Sequence, residues 1–90
     1  MVILNKRGLD TAASAEFAKL VERQRATITV ERQGKRADGD AMSDLIELKV
    51  PQGGQIMVYA EGKGAWDTLD ALHALVKGRF GLELEPENDD

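Results

Sequence analysis

The chain carries few groups able to do covalent or metal chemistry. Cysteine is absent, which excludes thiolate nucleophiles, disulfides and cysteine-held metals. His73 is the single histidine, so a multi-histidine metal site is excluded as well. It follows Leu72 beside the apolar stripe of a helical segment, where it reads as a partly buried structural residue rather than a proton carrier. Gly53-Gly54 and Gly62-Lys63-Gly64 lack the spacing of a phosphate cradle and read as turns. Asp10 and Thr11 open a helical pattern, where a side-chain oxygen of either can cap the first free N–H groups. The acids of the last residues form a solvated end in preference to a weak cation site. No cofactor and no metal is expected.

Positioning these residues falls to a regular series of elements. Val2-Ile3-Leu4 is a short apolar run suited to a first strand, closed by the polar loop Asn5-Lys6-Arg7-Gly8. Ala13, Phe17, Leu20 and Val21 share one face of a helix expected over about Thr11 to Gln24, with Glu16, Lys19, Glu22 and Arg23 opposite. Ala26 to Glu31 alternates and is rich in β-branched residues, so a strand is predicted there. Gln33-Gly34-Lys35 turns the chain into a short return strand, Arg36-Ala37-Asp38. A short helix follows over Ala41 to Lys49, with Leu45 and Leu48 inward, and Pro51-Gln52-Gly53-Gly54 ends it. Gln55 to Ala60 is a further strand. The last helix spans Ala65 to Lys77, with Leu69, Leu72 and Val76 on its buried face and Gly78 as its stop. Trp66 lies off that stripe, either packed over the preceding loop or exposed as an interface anchor. The order β-α-β-β-α-β-α predicts an α+β open-faced sandwich, one sheet covered by helices.

Length and charge bound the rest. Ninety residues make one domain. The net charge is −4, and of the 16 acids five fall in the last ten residues, which hold no base. The remainder is nearly neutral and has no basic stripe of the kind nucleic-acid binders carry. No apolar run approaches the roughly 20 residues that cross a bilayer. Met1-Val2-Ile3-Leu4 is too short for the apolar core of a signal peptide. A cytoplasmic monomer that binds neither nucleic acid nor membrane is expected. Residues 1–81 are read as the domain and 82–90 as an acidic tail, disordered after Pro86.

Asn5-Lys6-Arg7-Gly8-Leu9, the helix opening at position 10, and Ala15-Glu16-Phe17-Ala18-Lys19-Leu20 resemble the active-site segment of the HPr phosphocarrier family. That family's pattern is Gly-Leu-His-x-Arg-Pro/Ala-Ala. Gly34 to Gly39, Pro51-Gln52-Gly53, Ala60-Glu61-Gly62, Leu69 to Val76 and Arg79-Phe80-Gly81 continue the resemblance in order and spacing. It implies a four-stranded antiparallel sheet covered on one face by three helices. It also implies a place in the phosphoenolpyruvate-dependent phosphotransferase system, with enzyme I and IIA-type components as protein partners. In such proteins a histidine at a helix N-terminus accepts phosphate, the helix end stabilises the added charge, and an arginine two residues later clamps it.

By the same resemblance this chain is a degenerate member. Asp10 stands at the position of the phosphorylated histidine and Ala12 at that of the arginine. Ala41 stands at the regulatory serine of some members and cannot be phosphorylated, while Ser43 is out of register. The implied partner-binding face comprises Thr11, Ala15, Lys19, Met42 and Ile46, beside a middle helix made acidic by Asp40, Asp44 and Glu47. Three roles stay open for Asp10: a plain helix cap, a fixed negative charge imitating a phosphorylated carrier, or an acyl-phosphate acceptor. The chain is therefore expected to be no enzyme but a non-phosphorylatable regulatory or protein-binding variant. The alternatives are an atypical phosphocarrier using Asp10, or an engineered HPr stripped of its site.

Overall fold

The computed structural model describes residues 1–82. Helix α1 spans Thr11–Glu22, strands β1 and β2 span Thr27–Arg32 and Lys35–Asp38, and helix α2 spans Met42–Glu47. Strand β3 spans Met57–Glu61, helix α3 spans Ala65–Lys77, and a 3₁₀ turn follows at Arg79–Gly81. The sheet has the order β2-β1-β3, antiparallel throughout, with the helices against one face.

The buried faces of α1 and β1 follow the sequence pattern, while on α3 Thr68 is buried and the expected Leu69 is only half-buried. Ala13, Phe17 and Val21 of α1, Leu72 and Val76 of α3, and Ile28 and Val30 of β1 are buried together. Ser14 and Ala18 join them, widening the buried face of α1. Fully burying a residue of the size of Phe17 stabilises by roughly 1.5–3 kcal/mol. Gln33 and Gly34 close the β1–β2 hairpin with φ of 51° and 85°, the two successive positive values that a two-residue primed turn requires. Beyond α3, Arg79 and Phe80 both take positive φ, which folds Phe80 back into the core.

The expected fourth strand does not form. Val2 makes one bridge to Gln55, supported by Ile3 N–H to the Gly54 carbonyl (2.9 Å) and Ile56 N–H to that of Met1 (2.8 Å). On the far side, the turn closed by Gly54 N–H to the Pro51 carbonyl pulls the partner segment out of line, so no ladder develops toward Asn5. Helix α2 also stops earlier than expected, at Glu47, because Lys49 takes a φ of 53°. The bounds of α3 agree with the sequence reading at both ends.

His73 is exposed rather than partly buried. One residue beyond Leu72 is about 100° around the helix, enough to leave the buried stripe. Trp66 is 81% exposed, which removes the option of packing over the preceding loop. The acidic tail expected from residue 82 lies, from residue 83 on, outside the described residues.

Candidate functional site

The junction between the N-terminal segment and α1 is held from several directions. Leu9 N–H donates to the Val50 carbonyl (2.9 Å), and Gly8 N–H donates to that of Asn5 (3.1 Å). Gly8 has a φ of 67°, and a Cβ there would collide with the Val50 carbonyl oxygen. Only glycine fits such a backbone approach. The Asn5 amide donates to the Gly8 carbonyl (2.6 Å), and the Ser14 hydroxyl donates to the Leu9 carbonyl (3.2 Å). Both side chains are buried, so the turn ahead of α1 is fixed by packing as well as by hydrogen bonds.

Asp10 is the N-cap of α1. Its backbone is extended (φ −83°, ψ −168°), and its Oδ1 accepts from Ala13 N–H at 3.0 Å. Asn5, Lys6, Arg7, Asp10, Ala12 and Leu82 line a cleft of about 350 Å³ beside this helix end. Leu82 reaches it because the 3₁₀ turn after α3 packs against α1. The cleft thus joins one carboxylate, two basic residues and a helix N-terminus, whose partial positive charge favours anions. Ala12 is exposed and adds no hydrogen-bond donor. Asn5 Oδ1 is buried without a hydrogen-bond partner among the described residues. Asn5, Lys6 and Arg7 entered the sequence reading as a polar loop and as part of the segment that resembles the family's active site, but not as site residues.

Thr11, Ala15 and Lys19 recur at four-residue spacing along α1, which packs against α2. Thr11 and Lys19 are exposed and Ala15 is partly so. Lys19 Nζ lies 3.6 Å from Glu16 Oε2, an exposed pair that partly neutralises the base. On α2, Met42 is 39% exposed and Ile46 partly exposed, while Asp44 and Glu47 stand in solvent. Ala41 caps α2 without a side-chain hydrogen bond. Among the described residues, no three His, Cys, Asp or Glu side chains come together. No described helix is long and apolar enough to cross a membrane.

The family model for the phosphotransferase-system (PTS) HPr component phosphorylation site matches residues 1–78. The chain belongs to the HPr family. It is 29% identical over 79 residues to the phosphocarrier protein HPr of Cupriavidus necator, covering 88% of this chain and 89% of that protein. It is 32% identical over 80 residues to the phosphoryl donor subunit DhaM of the PEP-dependent dihydroxyacetone kinase of Providencia stuartii. That match covers 89% of this chain but only 17% of the subunit. The fold superposes on HPr-C-His from Thermoanaerobacter tengcongensis with a TM-score of 0.87 and 30% identity, covering 93% of this chain and 94% of that one. The HPr-like α+β architecture is therefore established, with three strands in the described sheet rather than four.

Proposed function

We propose that this HPr-family protein binds components of the phosphotransferase system without carrying phosphate through a histidine. The observation that supports it is the occupied end of α1: a carboxylate, not an imidazole, accepts the Ala13 N–H. The chain's single histidine is exposed in the middle of α3. Asp10 there places a permanent negative charge where a carrier's phosphoryl group would sit. Ala12 offers nothing to clamp a phosphoryl group, and Ala41 offers no hydroxyl for regulatory phosphorylation. The docking face is Thr11, Ala15 and Lys19 on α1 with Met42 and Ile46 on α2, and enzyme I or a IIA-type component is its partner.

The cleft itself favours one second reading. The Asp10 carboxyl has a further oxygen beyond the one that caps, and Lys6 and Arg7 line the same cleft. Transfer from a phosphohistidine donor would break its P–N bond and form a bond from phosphorus to Asp10 Oδ2. Oδ1 would remain an acceptor for Ala13 N–H. One experiment separates the readings: intact mass after incubation with phosphoenolpyruvate, magnesium and enzyme I, beside an ordinary HPr, together with calorimetric titration against enzyme I. Binding without a mass increase is the expected result. A phosphoryl adduct that hydroxylamine removes, and that Asp10→Ala abolishes, would instead make Asp10 a relay residue. Absence of both binding and adduct would overturn the proposal.

A further inference from the structure

Ahead of Asp10 the main chain is saturated with hydrogen bonds. Leu9 N–H is held by the Val50 carbonyl and Gly8 N–H by that of Asn5. The Gly8 and Leu9 carbonyls accept from Asn5 Nδ2 (2.6 Å) and the Ser14 hydroxyl (3.2 Å). From Asp10 on the pattern reverses, for the N–H groups of Asp10, Thr11 and Ala12 have no acceptor among the described residues. The two latched carbonyls are the ones a longer helix would use. In a helix each N–H donates to the carbonyl four residues before it, so Gly8 and Leu9 are the acceptors that Ala12 and Ala13 N–H would take if α1 began earlier. Ser14 reaches out of the helix to make its latch. A helical serine ordinarily bonds the carbonyl three or four residues back, and this one bonds the fifth. The Asn5 latch carries a cost, because Asn5 Oδ1 is left buried without a partner among the described residues. An apolar side chain would avoid that cost, and what it could not supply is the Nδ2 donor.

We infer that Asn5 and Ser14 are positioning residues that act through Asp10: by holding the Gly8 and Leu9 carbonyls they stop α1 from growing backwards and keep the carboxylate at its end. Ala13 N–H has two acceptors within reach of small backbone changes. It uses Asp10 Oδ1 at 3.0 Å, and the other, the Leu9 carbonyl, is occupied by Ser14. Freed of Ser14, the Leu9 carbonyl competes for that N–H. Taking it turns the Asp10 backbone from a ψ of −168° to the helical value of about −42°. Asp10 then becomes an interior helical residue, its carboxylate released from the cap and no longer fixed toward the cleft it shares with Lys6 and Arg7. Asn5 guards the Gly8 carbonyl against Ala12 N–H in the same way. This deepens the proposed reading of Asp10 as the charge a partner meets, and it rests on that reading only for the binding arm of its test.

The test uses the isotope-labelled 90-residue chain, in which scalar couplings across hydrogen bonds identify the acceptor of each amide. In the parent, Ala13 N–H should show no coupling to a backbone carbonyl, because its acceptor is a carboxylate. In Ser14→Ala it should couple to the Leu9 carbonyl, and the side-chain couplings of Asp10 should average over rotamers. Asn5→Ala should bring the same change to Ala12 N–H and the Gly8 carbonyl. Should Asn5→Ala fail to fold, Ser14→Ala decides alone, since it removes only one hydroxyl. The binding arm is a double-mutant cycle read as affinity for enzyme I. Ser14→Ala should lose about tenfold in the Asp10 chain and nothing measurable in an Asp10→Ala chain. A merely structural role would weaken both alike. A folded Ser14→Ala whose Ala13 N–H stays on the Asp10 carboxylate, or equal losses of affinity in both backgrounds, would overturn the inference. A parent chain that does not bind enzyme I would overturn the proposed docking instead, and the couplings would still decide the role of Asn5 and Ser14.

Discussion

At position 10 two properties of one side chain can be separated. The carboxylate caps α1 through Oδ1 and also brings a charge to a cleft shared with Lys6 and Arg7. Asn keeps the capping oxygen and removes the charge. Asp10→Ala should therefore lower stability in urea unfolding by about 1 kcal/mol, the usual cost of a lost cap, and Asp10→Asn by only a few tenths. If the charge is what a partner reads, the same Asp10→Asn variant should lose affinity although its stability is kept, which titration calorimetry reports separately. Gly8 makes a sharper demand. Its positive φ, together with the Val50 carbonyl oxygen standing where a methyl group would go, leaves no room for alanine. Gly8→Ala should cost roughly 2–4 kcal/mol by the same urea unfolding, combining backbone strain with a clash against main chain.

Elements with a strong internal period were legible, and those defined by tertiary partners were not. The face of α1 and both ends of α3 follow from residue spacing, because the apolar stripe and its stop belong to the helix itself. Val2-Ile3-Leu4 has strand character, yet a strand also needs a neighbour in line, and the Pro51–Gly54 turn withdraws it after one bridge. Of the candidate site, the cap at Asp10 was readable from its place before a helix. The cleft was not, because Leu82 reaches it only through the turn after α3, and no sequence pattern announces that return. His73 shows the same limit at the scale of one residue, since one step along a helix separates core from solvent. The β1–β2 hairpin yields a prediction of its own. Gln33 holds a φ of 51° without the local preference asparagine has for that region. Gln33→Asn should raise stability by about 0.5 kcal/mol in thermal or urea unfolding, with the sheet unchanged.

Across the whole molecule the helical side of the sheet carries the proposed docking face, and its charge is divided. Lys19 and the small or apolar residues Ala15, Met42 and Ile46 suit contact with a partner, whereas Asp44 and Glu47 on α2 are exposed acids beside them. Lys19 is further weakened as a steering charge because Glu16 lies 3.6 Å away. Against an acidic partner surface, this arrangement repels at the rim while the centre still fits. Rim charges act mainly on association rate and on salt dependence. Reversing both acids, Asp44→Lys with Glu47→Lys, should therefore speed association with enzyme I by about tenfold at low ionic strength, with little change in dissociation. The gain should shrink as salt rises, since the Debye length falls to about 8 Å near 0.15 M. Stopped-flow or surface-resonance kinetics at two salt concentrations check both parts. A double variant that associates no faster would place the contact away from α2, and one that instead dissociates more slowly at every salt would make these positions part of the buried centre.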